Sequence, residues 1–133
     1  VAAVLACGFE ETGVDLMMGT GGAPEGVIAA AAIKCLGGEM QAQLVPMNDD
    51  EKERCKTMGI EDISKVLLID DLAKSDDVYF AATAITDCDL LKGVTYGKND
   101  RAKTHTVVMR SKTETVRFVE TVHNLKKSGL VIK

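Results

Sequence analysis

The sequence predicts an α/β domain in which a mixed β-sheet is flanked by packed helices, and three observations predict it. Apolar residues recur at 3.6-residue spacing after Pro24 and stop at Gly37-Gly38, the pattern of a helix with one buried face. Two β-branched runs, Thr104 to Arg110 and Thr115 to Val122, surround a polar turn at Ser111 to Glu114, as in an antiparallel hairpin. The order helix, strand, helix, strand, helix and then mostly strands suits layered helices on a sheet. At 133 residues, without a Pro- or Ser-rich linker or an internal repeat, residues 1–133 read as one domain.

Val1, Val4, Leu5 and Gly8 have helical spacing, and Gly8 can stop the helix. The apolar run Val14 to Met18 is bounded by glycines, which predicts a buried strand with Met17 and Met18 in the core. In the helix after Pro24, the expected core face is Ile28, Ala31, Ala32, Cys35 and Leu36. Gln41 to Val45 predicts a second strand. Asn48 and Glu51 have capping-box spacing for a charged helix reaching about Met58, closed by Gly59. Lys65 to Ile69 and Val78 to Ala82 are strand-length apolar runs, joined by a stretch containing Asp70, Asp71, Asp76 and Asp77. Leu90 to Tyr96 fits no single pattern, and Lys126-Lys127 reads as a solvated tail.

Composition narrows the function classes. The chain is 46% hydrophobic and 27% charged with two prolines, which fits a packed domain rather than a disordered one. Aromatics are 4% with no Trp, so platforms for stacking bases are scarce. The net charge of −4 is spread along the chain and leaves no electrostatic footprint for nucleic acid or an anionic membrane. Cys7, Cys35, Cys55 and Cys88 form no CxxC pair, which fits a reduced, cytoplasmic compartment and a role as small buried apolar residues. The apolar opening is too short for a membrane span and lacks the basic flank of a signal peptide. Beginning inside a helical pattern without an initiator Met, the chain reads as a piece of a longer protein.

The stretch that carries chemistry is Gly19-Thr20-Gly21-Gly22-Ala23-Pro24-Glu25-Gly26, between the expected strand and helix. Its glycines let backbone approach a ligand, and a helix opening at Pro24 leaves amide groups free to face an anion such as phosphate. Glu25 falls in the first helical turn, where a carboxylate is favoured by the helix dipole and can hold Mg²⁺ or Mn²⁺. Read alone, such a loop is more often a structural turn than a ligand site. It is not a Walker A sequence, and Pro24 stands where G-x-G-x-x-G requires its last glycine.

The run Asp15 to Val27 closely resembles the strand, loop and helix of class II fructose-1,6-bisphosphatases, the bacterial type associated with glycerol metabolism. Arg54 to Ile60, Asp70 to Asp77 and Phe80 to Thr86 resemble further segments of that family in the same order, so the likeness covers nearly the whole chain. The resemblance implies the carboxyl-terminal portion of a cytoplasmic hydrolase of gluconeogenesis, with a fold like the carboxyl-terminal domain of the lithium-sensitive sugar phosphatases. The implied reaction removes the 1-phosphate of fructose 1,6-bisphosphate with Mn²⁺ or Mg²⁺. It also implies a metal-ligand role for Glu25 and a backbone substrate contact for Gly22. The family's other metal carboxylates, its water-activating threonine and an Asp-Gly-Asp substrate motif fall before Val1, so no catalytic residue is expected in this segment and the segment alone should be inactive. Expected partners are a sugar bisphosphate, an amino-terminal domain of the same protein and further copies in a homo-oligomer. Two alternatives stay open: a wider substrate range including sedoheptulose 1,7-bisphosphate, and a non-catalytic module that binds a phosphorylated metabolite.

Other polar residues carry weaker signals. His105 and His123 sit in expected strands without a second ligand at metal spacing. The paired aspartates read as turn or cap residues, and Asp87-Cys88-Asp89 lacks the glycine and distal glutamate of a calcium loop.

Overall fold

In the computed structural model, which describes residues 2–129, helices pack on sheet, the α/β class expected from the sequence, but every strand pairing among the described residues is antiparallel where a mixed sheet was expected. Helix α1 (Ala2–Ala6) leads through a 3-10 turn (Glu10–Thr12) to the glycine loop and helix α2 (Ala23–Cys35). Strand β1 (Gln41–Ala42), helix α3 (Asp49–Thr57), strand β2 (Leu67–Leu68) and helix α4 (Ile69–Leu72) follow. Strands β3 (Tyr79–Thr83), β4 (Thr95–Tyr96), β5 (Arg101–Arg110) and β6 (Thr115–Asn124) build the main sheet.

The hairpin is the spine of that sheet. β5 and β6 pair over ten residues, from Arg101 opposite Asn124 to Arg110 opposite Thr115. Ser111–Thr113 form a tight 3-10 turn and Glu114 takes the left-handed conformation that reverses the chain. On its other edge β5 pairs with β3 at one end and with β4 at the other. Val107 and Met109 of β5 are fully buried and lie with Leu5, Ala32, Cys35, Phe80 and Leu91 in one core cluster.

Helix α2 faces two cores. Ala32 and Cys35 join the cluster on the main sheet, while Ala30 and Ile33 join Ile69 in a second cluster near α4. The small side chains of Ala29, Ala30 and Ala32 let both neighbours approach the helix closely, and all three are buried. The expected face is therefore corrected: Ile28 points outward, and Ile33 takes the buried place on its turn. Gly37 adopts a positive φ of 71° and ends the helix where the double glycine suggested.

The Asn48 half of the expected capping box forms, while Glu51 reaches one residue further back than the box requires. The Asn48 side chain accepts from the Glu51 amide at 2.8 Å, while the Glu51 carboxylate accepts from the Met47 amide at 2.7 Å. Two strands are shorter than expected. Gln41 to Val45 keeps only its first two residues in β1, and Lys65 to Ile69 gives way to helix after Leu68. There the Asp71 carboxylate accepts from the Leu68 amide at 3.0 Å, which nucleates the turn of α4 and draws Ile69 into it.

The run Val14 to Met18 is not a strand, and its side chains are exposed: Leu16 retains 74% and Met18 85% of its accessible surface. A buried strand needs hydrogen-bonding neighbours along its edges. Among the described residues no backbone hydrogen bond ties residues 15–21 to another segment. Met17 and Met18 are accordingly not core residues here.

The turn before β3 is latched to the hairpin. Arg110 donates to both Asp77 oxygens, at 2.7 and 2.5 Å, while its guanidinium lies 4.9 Å from the Tyr79 ring centroid. These hydrogen bonds, and then the Arg110 charge, hold the Asp77 carboxyl below the usual carboxylate range. A depressed folded-state pKa contributes stability above the unfolded value of about 3.9 that is lost as pH falls through the folded value. We expect Asp77→Asn to destabilise the chain at neutral pH and to converge with the parent below about pH 4 in acid-unfolding curves. Parallel curves at all pH values would contradict this.

Candidate functional site

Gly22 and Glu25, three residues apart, meet at the start of α2. Gly22 is the N-cap in extended conformation (φ −67°, ψ 149°), and Gly26 donates to its carbonyl at 3.0 Å. The Glu25 carboxylate folds back over Gly22 and occupies the place a Cβ would take there, so any side chain at position 22 would displace it. Pro24 has no amide hydrogen, and the Ala23 and Glu25 amides have no backbone acceptor among the described residues. The helix therefore begins with two unsatisfied donors, a positive dipole end and an exposed carboxylate unpaired among the described residues.

That arrangement suits a hard cation and an anion held side by side, since oxygen donors are what Mg²⁺ and Mn²⁺ take. Glu25 fits one ligand position. Among the described residues no group of three or more His, Cys, Asp or Glu comes together to complete a metal site.

Most of the remaining candidates are engaged elsewhere, Asp76 and Asp89 being the carboxylates among them with no side-chain partner among the described residues. Asp70 pairs with Lys34 at 2.6 Å, Asp71 caps α4 and pairs with Lys65 at 3.1 Å, and Asp77 holds Arg110. The Asp87 carboxylate accepts from the Gly93 amide at 2.8 Å and closes the loop before β4. His123 Nε2 shares a 2.9 Å hydrogen bond with the Thr104 hydroxyl. Cys35 is buried, and that burial pushes its thiol pKa up. Cys7 and Cys55 are partly buried and Cys88 is exposed, so the expectation of small buried side chains holds fully only for Cys35.

A second cluster was not legible in the sequence. The loop before β4 crosses β5 and sets Lys92, Gly93 and Thr95 beside Lys103, Thr104, His105 and Glu120 around a small cavity of about 40 Å³. The Lys92 amide donates to His105 Nδ1 at 3.2 Å, and Lys103 pairs with Glu120 at 3.0 Å. Lys103 first, and then Lys92 and His105, hold the Glu120 carboxyl below its ordinary range. Thirteen residues separate Lys92 from His105, and only the folded loop brings them together. An open groove of about 540 Å³ lies between the 3-10 turn and β6, with Phe9 and Phe118 on its floor, and neither Gly22 nor Glu25 lines it.

Residues 1–123 match the model of a family described as bacterial fructose-1,6-bisphosphatase, glpX-encoded. The class 2 fructose-1,6-bisphosphatase of Haemophilus influenzae is 41% identical over 138 aligned positions, covering 94% of this chain and 41% of that protein. Two Synechococcus proteins named D-fructose 1,6-bisphosphatase class 2/sedoheptulose 1,7-bisphosphatase are each 42% identical over 135 positions, covering 92% of this chain and 39% of theirs. The chain thus spans about two fifths of the length of these curated relatives. Among the described residues no helix is long and apolar enough to cross a membrane.

Proposed function

The chain belongs to the bacterial fructose-1,6-bisphosphatase family, and on that premise we propose that it forms the Gly22–Glu25 side of a cytoplasmic sugar-bisphosphatase site used in gluconeogenesis. The reaction is hydrolysis of the 1-phosphate of fructose 1,6-bisphosphate to fructose 6-phosphate and phosphate. The observation that carries this reading is the meeting of an exposed carboxylate, a side-chain-free N-cap and unsatisfied amides at one helix end.

In this reading Glu25 is one ligand of a Mn²⁺ or Mg²⁺ ion, and the Gly22 backbone lets the sugar phosphate approach closely. The Ala23 and Glu25 amides face the phosphoryl oxygens with the positive end of the helix dipole behind them. Glu25 would hold such a cation, which would supply polarisation of the phosphoryl oxygen and a more acidic water. The remaining metal ligands and the residue that orients the water belong to the part of the relatives that this chain does not span. The uncovered apolar residues Leu16, Met17 and Met18, with Val27 and Ile28, support docking of that amino-terminal part beside the loop. Assembly into a homo-oligomer is part of the same reading. The names of the two Synechococcus relatives favour sedoheptulose 1,7-bisphosphate as a second substrate.

The test is phosphate release from both bisphosphates by the full-length protein that carries this chain, with Mn²⁺ or Mg²⁺ and with chelator. Release that requires the cation, and is absent from residues 1–133 alone, is expected. A full-length protein that binds the sugar phosphate with no turnover would replace this reading with the non-catalytic module.

A further inference from the structure

We infer that residues 14–18 are one strand of a second, parallel sheet, completed by a strand that the amino-terminal part of the protein supplies through α1. The inference rests on the family reading above, in which the protein extends beyond residues 1–133, and deepens it by naming what seats the glycine loop.

The segment has the composition of a strand and lacks a neighbour. Residues 14–18 read Val-Asp-Leu-Met-Met, with neither glycine nor proline. Leu16, Met17 and Met18 are all exposed. In a strand, Leu16 and Met18 share one face and Met17 takes the other. Apolar side chains on both faces belong to a strand covered on both sides, the pattern of a parallel sheet. Among the described residues no backbone hydrogen bond reaches residues 15–21 from another segment, so both edges are open to a ladder.

The flanking elements stand where a parallel pair requires them. Parallel strands are joined by a crossover of a dozen or more residues, usually through a helix. Residues 2–13, α1 followed by the 3-10 turn, are a connection of that kind. α1 packs on α2, and Leu5 of α1 and Ala32 of α2 share the core against the main sheet, so the two helices form one layer. Val27 and Ile28 of α2 are exposed and belong to neither core, which gives that layer a second apolar side for a second sheet to cover. The chain spans about two fifths of its curated relatives, and the rest of their length is ample for such a sheet. A second copy pairing edge to edge about a twofold axis would run antiparallel, which two apolar faces do not favour. With the strand in place, the glycine loop leaves the carboxyl end of a parallel strand and enters the amino end of α2, where open α/β sheets bind ligands. Pairing thus fixes the base of the loop that carries Gly22 and Glu25.

The experiment uses the full-length protein: amide hydrogen exchange and NMR at residues 15–18, with peroxide oxidation of Met17 and Met18 followed by peptide mass. Exchange should be slowed about a hundredfold or more against the urea-unfolded protein. Both methionines should oxidise about tenfold more slowly than in urea, since they lie on opposite faces. Protected methionines with freely exchanging amides would mean cover without a ladder, and one protected methionine would mean a sheet with a wet face. Short Hα–Hα contacts across residues 15–18 would mean an antiparallel partner. Protection that disappears on dilution would assign the partner to a second copy. Each of these results overturns the inference. Cation-dependent phosphate release from the same sample tests the functional reading separately: an active protein with unprotected amides defeats the strand alone, and protected amides in an inactive one defeat the activity alone.

Discussion

Replacing Glu25 with Gln in the full-length protein should lower cation-dependent phosphate release by about a hundredfold or more, because a metal's polarisation of a phosphoryl oxygen is worth several kcal/mol and about 1.4 kcal/mol is a factor of ten. The fold should survive. Glu25 is exposed, has no salt-bridge partner among the described residues, and its interaction with the helix dipole contributes only about 0.3–1 kcal/mol. Gln keeps the length and shape of the side chain over Gly22 and removes the charge alone. The informative readout is therefore the cation concentration that gives half-maximal rate, measured beside the thermal midpoint. A variant with unchanged cation dependence would remove Glu25 from the metal site, whatever its rate.

Met109→Ala should destabilise the chain by about 2–5 kcal/mol, lowering its thermal midpoint by roughly 10–20 °C. Met109 is fully buried in β5, opposite Phe80 on one side and Val116 on the other, in the cluster that receives α2. The loss is a large share of the roughly 5–15 kcal/mol that holds a domain folded. The matched control is Met18→Ala in the same chain, whose side chain is 85% exposed and whose removal should cost within about 0.5 kcal/mol. Circular dichroism melts of the two variants decide it. Equal midpoints would mean that the hairpin and α2 do not form a common core.

The contrast between these methionines also marks where the sequence could be read and where it could not. The hairpin and α2 announce themselves locally: β-branched alternation around a polar turn, and small apolar residues ending at Gly37, depend on nothing remote. The run Val14 to Met18 has as clear a pattern, yet pairing is a relation between segments, and the described residues give this one no partner. The strand expected at Lys65 to Ile69 was cut to Leu67–Leu68 for a nearer reason, because the Asp71 carboxylate accepts from the Leu68 amide and begins a helix. In the candidate site, the spacing of Glu25 from Pro24 already placed it in the first helical turn, while Gly22 came only with the family resemblance. Lys92 and His105 had no such spacing to betray them, since their contact depends on how the loop between Ile85 and Thr95 folds over β5.

Helix α2 is about 20 Å long at 1.5 Å per residue, with Glu25 near one end and Cys35 at the other. From Ala29 to Cys35 the helix is clamped between both cores through Ala30, Ala32, Ile33 and Cys35, while its first two turns, with Glu25, project beyond them. Position 30 is consequently a steering point for the carboxylate. A methyl or two added there would push the whole rod away from Ile69 and swing Glu25 by a comparable distance, changing chemistry at a residue that the substitution never touches.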